Sequence, residues 1–500
     1  MKNFTLSLYA FHLRHKLTDA PDKVTENAQN LWDNLINLYN KSLNFPKLKD
    51  LRSYLICYDK IKDKNEYEYN PEQEKGRQTY WLSKGILDLG NINTTEGFAI
   101  KANLQPFLIH DTYAVDLTLS PKSEEIPIDV NQLKLFHPES LLPKSIDASL
   151  GQTVWIYGEV EKSDEECAVL AEGYATALLA GSNLEFGEVR QEKLLGCLLF
   201  EYQATDLNNP DNPAKQYHIL ISINNTKAEA AKFSEAYDLL IYLLAYRHKI
   251  LYIYQEACHC NPKARKYYSK LNDDMLKFPE QIVSREKRLD NFRHSLEKMP
   301  LQEIHYSLCL RDLKAHYTSI ATNIVNYRNC LDKIATIGEY PESWDNFVDL
   351  KCNQWKQQIQ IDIDFLSPGQ ELFGQMIQTI RGIVAIDQAE SDRTKARVEK
   401  DRNRIFGILG FGFAPTSLIL SALSLPHIEV VEAIEEIPPL KGWLQPLNPQ
   451  LGKKDLADSV VALSFGILLA VFFGGVAALI YKISDSWQPK EEAGSKNNPS

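Results

Sequence analysis

Two long uncharged stretches near the C-terminus constrain this 500-residue chain more than anything else in it. One runs from Ile405 to Ile428, between Arg404 and Glu429; the other runs from Ser459 to Tyr481, between Asp458 and Lys482. Each exceeds the roughly 20 apolar residues that carry a helix across a bilayer core. The residues before them are mostly polar. The pattern predicts a two-helix transmembrane hairpin (405–428 and 459–481) joined by an extracytoplasmic loop at 429–458. A large cytosolic region precedes the hairpin, and a disordered tail at 482–500 follows it.

Charge gives an expected orientation. Arg393, Lys395, Arg397, Lys400, Arg402 and Arg404 crowd the segment before the first stretch, whereas the loop holds only Lys441, Lys453 and Lys454. Cytoplasmic flanks carry the excess of basic residues, so both termini are expected in the cytoplasm and the protein in the inner or plasma membrane. All eight cysteines (Cys57, Cys167, Cys197, Cys258, Cys260, Cys309, Cys330 and Cys352) precede the first stretch, which fits a reduced compartment for that part. A net charge of −11 argues against direct nucleic-acid binding. The N-terminal segment lacks the sustained apolar run of a signal peptide.

Residues 1–225 read as an α/β or α+β domain. Phe4, Leu6, Leu8 and Ala10 alternate with Thr5, Ser7 and Tyr9, the period-2 pattern of a strand with unlike faces. Further strands are expected at 98–104, 113–119, 153–160, 194–202 and 218–223, with helices over 24–43 and 164–179 and loops at 60–78 and 204–216. The strand order mixes hairpins with helical crossovers, so a mixed sheet flanked by helices is expected. From 226 to 366 the pattern is helical. A capping box is predicted at Thr226–Glu229, and breaks near Pro262, Pro300 and Pro341. A second capping box at Ser367–Gln370 predicts the start of a stalk helix over 367–428, with Phe373, Met376, Ile380 and Ile383 on one face. Unbroken, about 58 residues of helix would reach about 87 Å.

Within the first stretch, Gly407, Gly410, Ala414, Ser417, Ser421 and Ser424 fall at helical steps of three or four. Around an oligomer axis they would line a narrow pore. They would equally suit close helix packing. Gly466, Ala470, Gly474 and Ala478 repeat every fourth residue in the second stretch, a helix-packing stripe. Glu429, Glu432, Glu435 and Glu436 would form an acidic outer mouth that concentrates cations. The run Phe413-Ala-Pro415-Thr-Ser417-Leu-Ile419 resembles the Phe-x-Pro-x-Thr-x-Ile run of the CorA-type divalent-cation transporter superfamily. That family's Gly-Met-Asn signature would fall on Ser424-Leu425-Pro426 and is absent, and the loop is longer than the family's short turn. The resemblance implies a homo-oligomeric, pentameric cation channel or transporter gated by its cytosolic domain, with a divalent cation such as magnesium. Divergent members include effectors associated with type III CRISPR systems. They imply an alternative, a membrane-tethered signalling or defence effector switched by a small nucleotide second messenger.

Elsewhere, Cys258-His259-Cys260 with His248 lacks the paired spacing of a structural zinc site, so a metal there is not expected. Lys263, Arg265, Lys266 and Lys270, interleaved with Tyr267 and Tyr268, read as a solvated helix face or, less simply, a phosphate-binding patch. No nucleophile elbow, phosphate-binding loop, dinucleotide-binding motif or His-Glu-x-x-His is present, and no enzyme activity is expected.

Overall fold

The computed structural model describes residues 1–16, 23–74, 79–206, 208, 217–226, 230–283 and 288–392. Eleven strands are found among them: β1 (Lys2–Leu13), β2 (Tyr58–Lys60), β3 (Tyr67–Tyr69), β4 (Thr79–Trp81), β5 (Leu87–Asn93), β6 (Ala99–Ile109), β7 (Thr112–Pro121), β8 (Gly151–Glu159), β9 (Leu184–Leu194), β10 (Cys197–Asp206) and β11 (Tyr217–Asn224). Helices are α1 (Asn30–Lys41), α2 (Pro143–Ile146), α3 (Asp164–Leu179), α4 (Ala230–Val283), α5 (Arg288–Ile337), α6 (Glu342–Asn346) and α7 (Asn353–Asp392), with a π-helical segment Phe347–Cys352 between the last two.

Nine strands form one sheet in the order β4-β6-β7-β1-β8-β11-β10-β9, with β5 also paired to β6. Every pairing is antiparallel except β8 with β11. The mixed sheet follows the expectation. Its apolar face carries Phe4, Leu6 and Leu8 of β1, Val115 and Leu117 of β7, Val154 and Ile156 of β8, and Ile219 and Ile221 of β11. These pack with Leu31, Trp32 and Leu35 of α1 and Ala171, Tyr174 and Leu178 of α3. The N-terminus of α3 is closed by Ser163 and Glu166, each accepting from the other's backbone N–H at 3.3 and 3.1 Å.

Two compact units partition the chain. Among the described residues one comprises 1–261 and 311–360, and the other comprises 262–310 and 361–392. In the second, Leu271, Phe278, Phe292, Met299, Tyr306, Leu366, Phe373, Met376, Ile380 and Ile383 are buried. Phe373, Met376, Ile380 and Ile383 thus form the apolar face that their spacing predicts. Arg288 Nε donates to Asp387 Oδ2 at 3.0 Å, a second guanidinium bond joins the same carboxylate, and both side chains are buried.

Several expectations are corrected. The breaks at Pro262 and Pro300 do not occur: α4 continues through Pro262 and Pro279, and α5 through Pro300. An interior proline costs a helix about 3 kcal/mol, and buried residues before and after each break point (Ala257 and Ala264, Met299 and Tyr306) favour continuation. The helix start expected at Ser367 is also overturned, because α7 begins at Asn353 and carries Pro368 inside it. Ser367 Oγ donates back to the Ile363 carbonyl at 2.7 Å instead of capping a new helix. The box at Thr226–Glu229 lies largely outside the described residues.

The membrane-spanning hairpin, with the multi-pass membrane location drawn from it, is corrected as well. Among the described residues no helix is long and apolar enough to cross a membrane. α4, at 54 residues, has ample length, but its apolar run Leu239–Tyr246 is bounded by Asp238 and Arg247. Both predicted spans, the loop, the tail and the stalk beyond Asp392 lie outside the described residues.

Gly369 shows how closely α7 packs in its unit. A Cβ there would stand 2.5 Å from Tyr306 Oη and 2.7 Å from Tyr268 Cδ2, whereas at Gly374 it would meet nothing within 4 Å. Gly369→Ala is expected to cost about 1–3 kcal/mol, and Gly374→Ala to stabilise by up to about 1 kcal/mol. Denaturant midpoints of the two variants would check this pair.

Candidate functional site

The alternation that buries one side of each strand leaves the opposite side polar, and this second face holds the unusual chemistry. Strand register aligns Ser7 with Thr118 and Trp155, Tyr9 with Asp116 and Thr153, Thr153 with His218, and Glu201 with Arg190. Such a face would ordinarily meet water. Here Ser7, Asp116, Thr153, Glu201, His218 and Ser222 are all buried. Residues of α4 supply the cover: Phe233, Tyr237, Leu240, Leu244, Arg247 and His248 recur at helical spacing and face the sheet.

Towards β10 the cover is ionic. Glu201 Oε1 lies 3.0 Å from His218 Nε2 and 3.1 Å from Arg247 Nη2, and Trp344 Nε1 donates to Glu201 Oε2 at 3.3 Å. Thr153 Oγ1 lies 2.9 Å from His218 Nδ1 and 2.8 Å from His248 Nε2. Hydrogen-bond logic assigns every proton. His218 donates from Nε2 to the carboxylate, so its Nδ1 accepts from the Thr153 hydroxyl, whose oxygen accepts from His248 Nε2–H. Burial, with the Arg247 charge nearby, lowers the pKa of His218. Burial, then His218 and Arg247, lowers that of His248 further. Burial opposes ionisation of Glu201, yet Arg247 and His218 prevail and hold its carboxyl well below the usual range.

The Thr153–His218–Glu201 order imitates a catalytic triad. It has no route to a substrate: Thr153 is fully buried and both histidines already occupy its hydroxyl. The guanidinium of Arg247 also stacks 4.7 Å from the Phe347 ring centroid, in the π-helical segment. This cluster therefore fastens α4 to the sheet.

Towards β1 the cover is incomplete. A cavity of about 250 Å³ remains between β1, β8 and α4. Tyr9, Trp155, Tyr157, Phe233 and Tyr237 wall it, Thr5 and Ser7 add hydroxyls, and Leu240 and Leu244 close one end. Tyr9 meets Trp155 at 67°, Trp155 meets Phe233 at 77°, and Tyr157 meets Phe233 at 61°. The rings thus meet at corners, as the sides of a box do.

Behind this lining lies Asp116. Tyr237 Oη stands 2.6 Å from Asp116 Oδ2 and 2.7 Å from Gln105 Oε1, and Thr118 Oγ1 donates to Asp116 Oδ1 at 2.7 Å. Ser7 Oγ is 2.7 Å from the same Thr118 hydroxyl. Among the described residues Asp116 has no ion-pair partner. Burial pushes its carboxyl up to about 6, against the pull of the Tyr237 and Thr118 hydrogen bonds. One phenolic proton cannot serve both Asp116 and Gln105; with the Gln105 amide turned so that Nε2–H donates to the Tyr237 oxygen, the phenolic proton is left for the carboxylate.

A second cavity, about 550 Å³, lies in the same unit between β9 and the π-helical segment. Arg190 and Lys351 there are matched by Glu192 and Glu342. Its charges balance internally, which the Asp116 site does not.

The pore-lining set (Gly407, Gly410, Ala414, Ser417, Ser421, Ser424), the outer glutamates (Glu429, Glu432, Glu435, Glu436) and the packing stripe (Gly466, Ala470, Gly474, Ala478) all lie outside the described residues. Of the other candidates, His248 is engaged by Thr153, Cys260 Sγ is 3.9 Å from His316 Nε2, and His259 pairs with Glu256. No group of three or more potential metal ligands occurs among the described residues. Lys263, Lys266 and Lys270 of the basic run are exposed, as on a solvated helix face, while its other members pack within their unit. Arg265 pairs with Asp362 at 3.4 Å over the Phe365 ring, Tyr267 stacks on His305, and Tyr268 stacks on Tyr306. All eight cysteines are free thiols, and burial raises the pKa of Cys57, Cys197, Cys330 and Cys352, the reverse of nucleophile activation.

No family profile, curated protein or solved structure matches the chain.

Two outcomes follow from the charges. Arg247→Leu removes the ion-pair partner of buried Glu201 and leaves only the cross-strand Arg190 as a nearby cation, and a loss of about 3 kcal/mol is expected in denaturant unfolding. Asp116 has the opposite sign. Its folded-state pKa stands above its unfolded one, so its contribution is fully favourable at low pH and is lost as pH rises through about 6. Above that pH its ionisation costs on the order of 3 kcal/mol. Asp116→Asn should therefore raise the unfolding free energy relative to the parent at pH 8, with the gain shrinking towards pH 4.

Proposed function

We propose that the protein is a non-enzymatic signalling effector whose N-terminal unit receives a small-molecule messenger in the aromatic cavity under α4. The single observation that carries this reading is the cavity itself. Besides the charge-balanced cavity at β9, the covered sheet face leaves an opening walled by five aromatic rings, and behind it sits a buried carboxylate without a counter-ion among the described residues. Asp116 weakens the empty fold at neutral pH, a pattern that points to use rather than stability. Its volume lies just under the ~300–1,000 Å³ of sites that enclose drug-sized ligands. The cavity thus takes one compact group of a larger molecule.

A nucleotide messenger, the class implied by the family resemblance, belongs on the ligand panel beside other small molecules. Four of the cavity's nine lining residues come from the α4 segment 233–244, so an occupant would bear directly on α4. Binding that changes the position or stability of this segment would be the signal. Only a ligand with differential affinity for two states of the segment can shift it.

Thermal unfolding of the full chain against a panel of nucleotides and small metabolites tests the reading. An authentic messenger at a hundred times its Kd should stabilise by about 3 kcal/mol, and Phe233→Ala should abolish most of that shift. The reading fails if no compound shifts the parent protein, or if the shift survives Phe233→Ala undiminished.

A further inference from the structure

The walls of the aromatic cavity and the charge behind them narrow the ligand class. A nucleobase or other flat ring binds best in a slot whose two faces are parallel, where it stacks on both. The rings here meet at 61°, 67° and 77°. Perpendicular walls surround a compact, roughly spherical group on several sides. Aromatic faces carry negative quadrupole density, so a box of them attracts a cation whose charge is spread over methyl groups. We infer that the cavity is a receptor for a methylated ammonium head group, with Asp116 as its counter-charge.

Three features support the assignment. Asp116 is 5 % exposed, and among the described residues no basic group neutralises its charge. The charge reaches the cavity through lining residues. Tyr237 donates its hydroxyl towards the carboxylate, which enriches its ring, and Ser7 is linked to the carboxylate through Thr118. Strand pairing also sets Tyr9 directly beside Asp116. The lining itself offers no charged donor, only hydroxyls, aromatic rings and two leucines. A quaternary ammonium, which has no N–H to satisfy, suits such a lining better than a primary amine does. A phosphate would find no cation in it.

This inference rests on the receptor reading proposed above and specifies the group received. It also predicts a pH dependence. The groups facing Asp116 from the neighbouring elements are Tyr9 of β1, Gln105 of β6, Thr118 of its own strand and Tyr237 of α4. None of the four is charged near neutrality. Cation affinity should therefore fall as pH drops below about 6; Glu159, which accepts from the lining Tyr157 at 3.1 Å, is a second carboxylate nearby, so loss of the pH dependence in Asp116→Asn assigns it to Asp116.

Isothermal titration calorimetry on the full chain at pH 8 can separate the possibilities. The probes are choline, its neutral carbon isostere 3,3-dimethyl-1-butanol, and adenosine monophosphate. The expected result is choline binding on the order of tenfold tighter than the isostere, with the preference lost at pH 5. Asp116→Asn should erase the preference while leaving isostere binding in place. Phe233→Leu, which removes one wall with little change in volume, should weaken choline more than the isostere. Equal affinity for choline and the isostere would overturn the cation assignment and leave an apolar receptor site. Binding of adenosine monophosphate alone would overturn it too, while supporting a nucleotide receptor. If none of the three binds, the cation assignment fails, and the receptor reading is then judged by the wider thermal-shift panel.

Discussion

Burying the polar face of the sheet under α4 is the constraint on which the first unit depends. A sheet face bearing Ser7, Asp116, Thr153, Glu201, His218 and Ser222 cannot be covered by an apolar helix stripe alone, because each unsatisfied polar group costs about 1–3 kcal/mol. Arg247 and His248 meet that requirement. Arg247 neutralises Glu201, and His248 completes the hydroxyl-bridged pair with His218. Along the chain from His248 through Thr153 and His218 to Glu201 each proton has one sensible position, while Arg247 Nε is buried without a hydrogen-bond partner among the described residues. Trp344 contributes the last donor to Glu201, which ties α6 to the same charge.

The same face behaves differently a few residues along α4. Where Arg247 gives way to Leu244, Leu240, Tyr237 and Phe233, the helix offers no cation, and Asp116 is left with hydroxyl donors only. One buried carboxylate is thus fully compensated and held ionised, while the other is uncompensated and raised. Glu201 serves architecture; Asp116 costs stability at neutral pH and borders an open cavity. The contrast between two acids on one sheet face separates the structural cluster from the candidate receptor site.

Parts of this arrangement were legible in the chain. The alternation of Phe4, Leu6, Leu8 and Ala10 with Thr5, Ser7 and Tyr9 marks a strand with unlike faces, and six expected strands fall on observed ones. The helix expected over 164–179 coincides with α3. The short polar strands β2, β3 and β5 and the charged edge strand β9 give no such signal, because edge and hairpin strands need not carry an apolar face. The turn between β9 and β10 was equally hidden. Leu195 and Gly196 both take positive φ, and Leu195 is kept there by burial and by its N–H bond to the Glu339 carbonyl at 2.7 Å. Local sequence would read Leu194–Tyr202 as one strand.

What the sequence by itself determined is the periodicity: which residues share a strand face or a helix stripe, and therefore the mixed sheet, the helical character after residue 225 and the buried stripe of Phe373, Met376, Ile380 and Ile383. Periodicity depends only on backbone geometry and neighbouring residues. Only the tertiary structure decided what covers each face. It turned a polar strand face, which alone would meet water, into a buried one. It carried Pro262 and Pro300, expected to break helices, and Pro368, expected to start one, inside continuous helices, and brought Asp116, Tyr237 and Trp155 together from strands and a helix distant in sequence. Desolvation, ion pairing and the shape of a cavity are properties of the cover. No local pattern encodes them, because they arise from groups that meet only when the chain has folded.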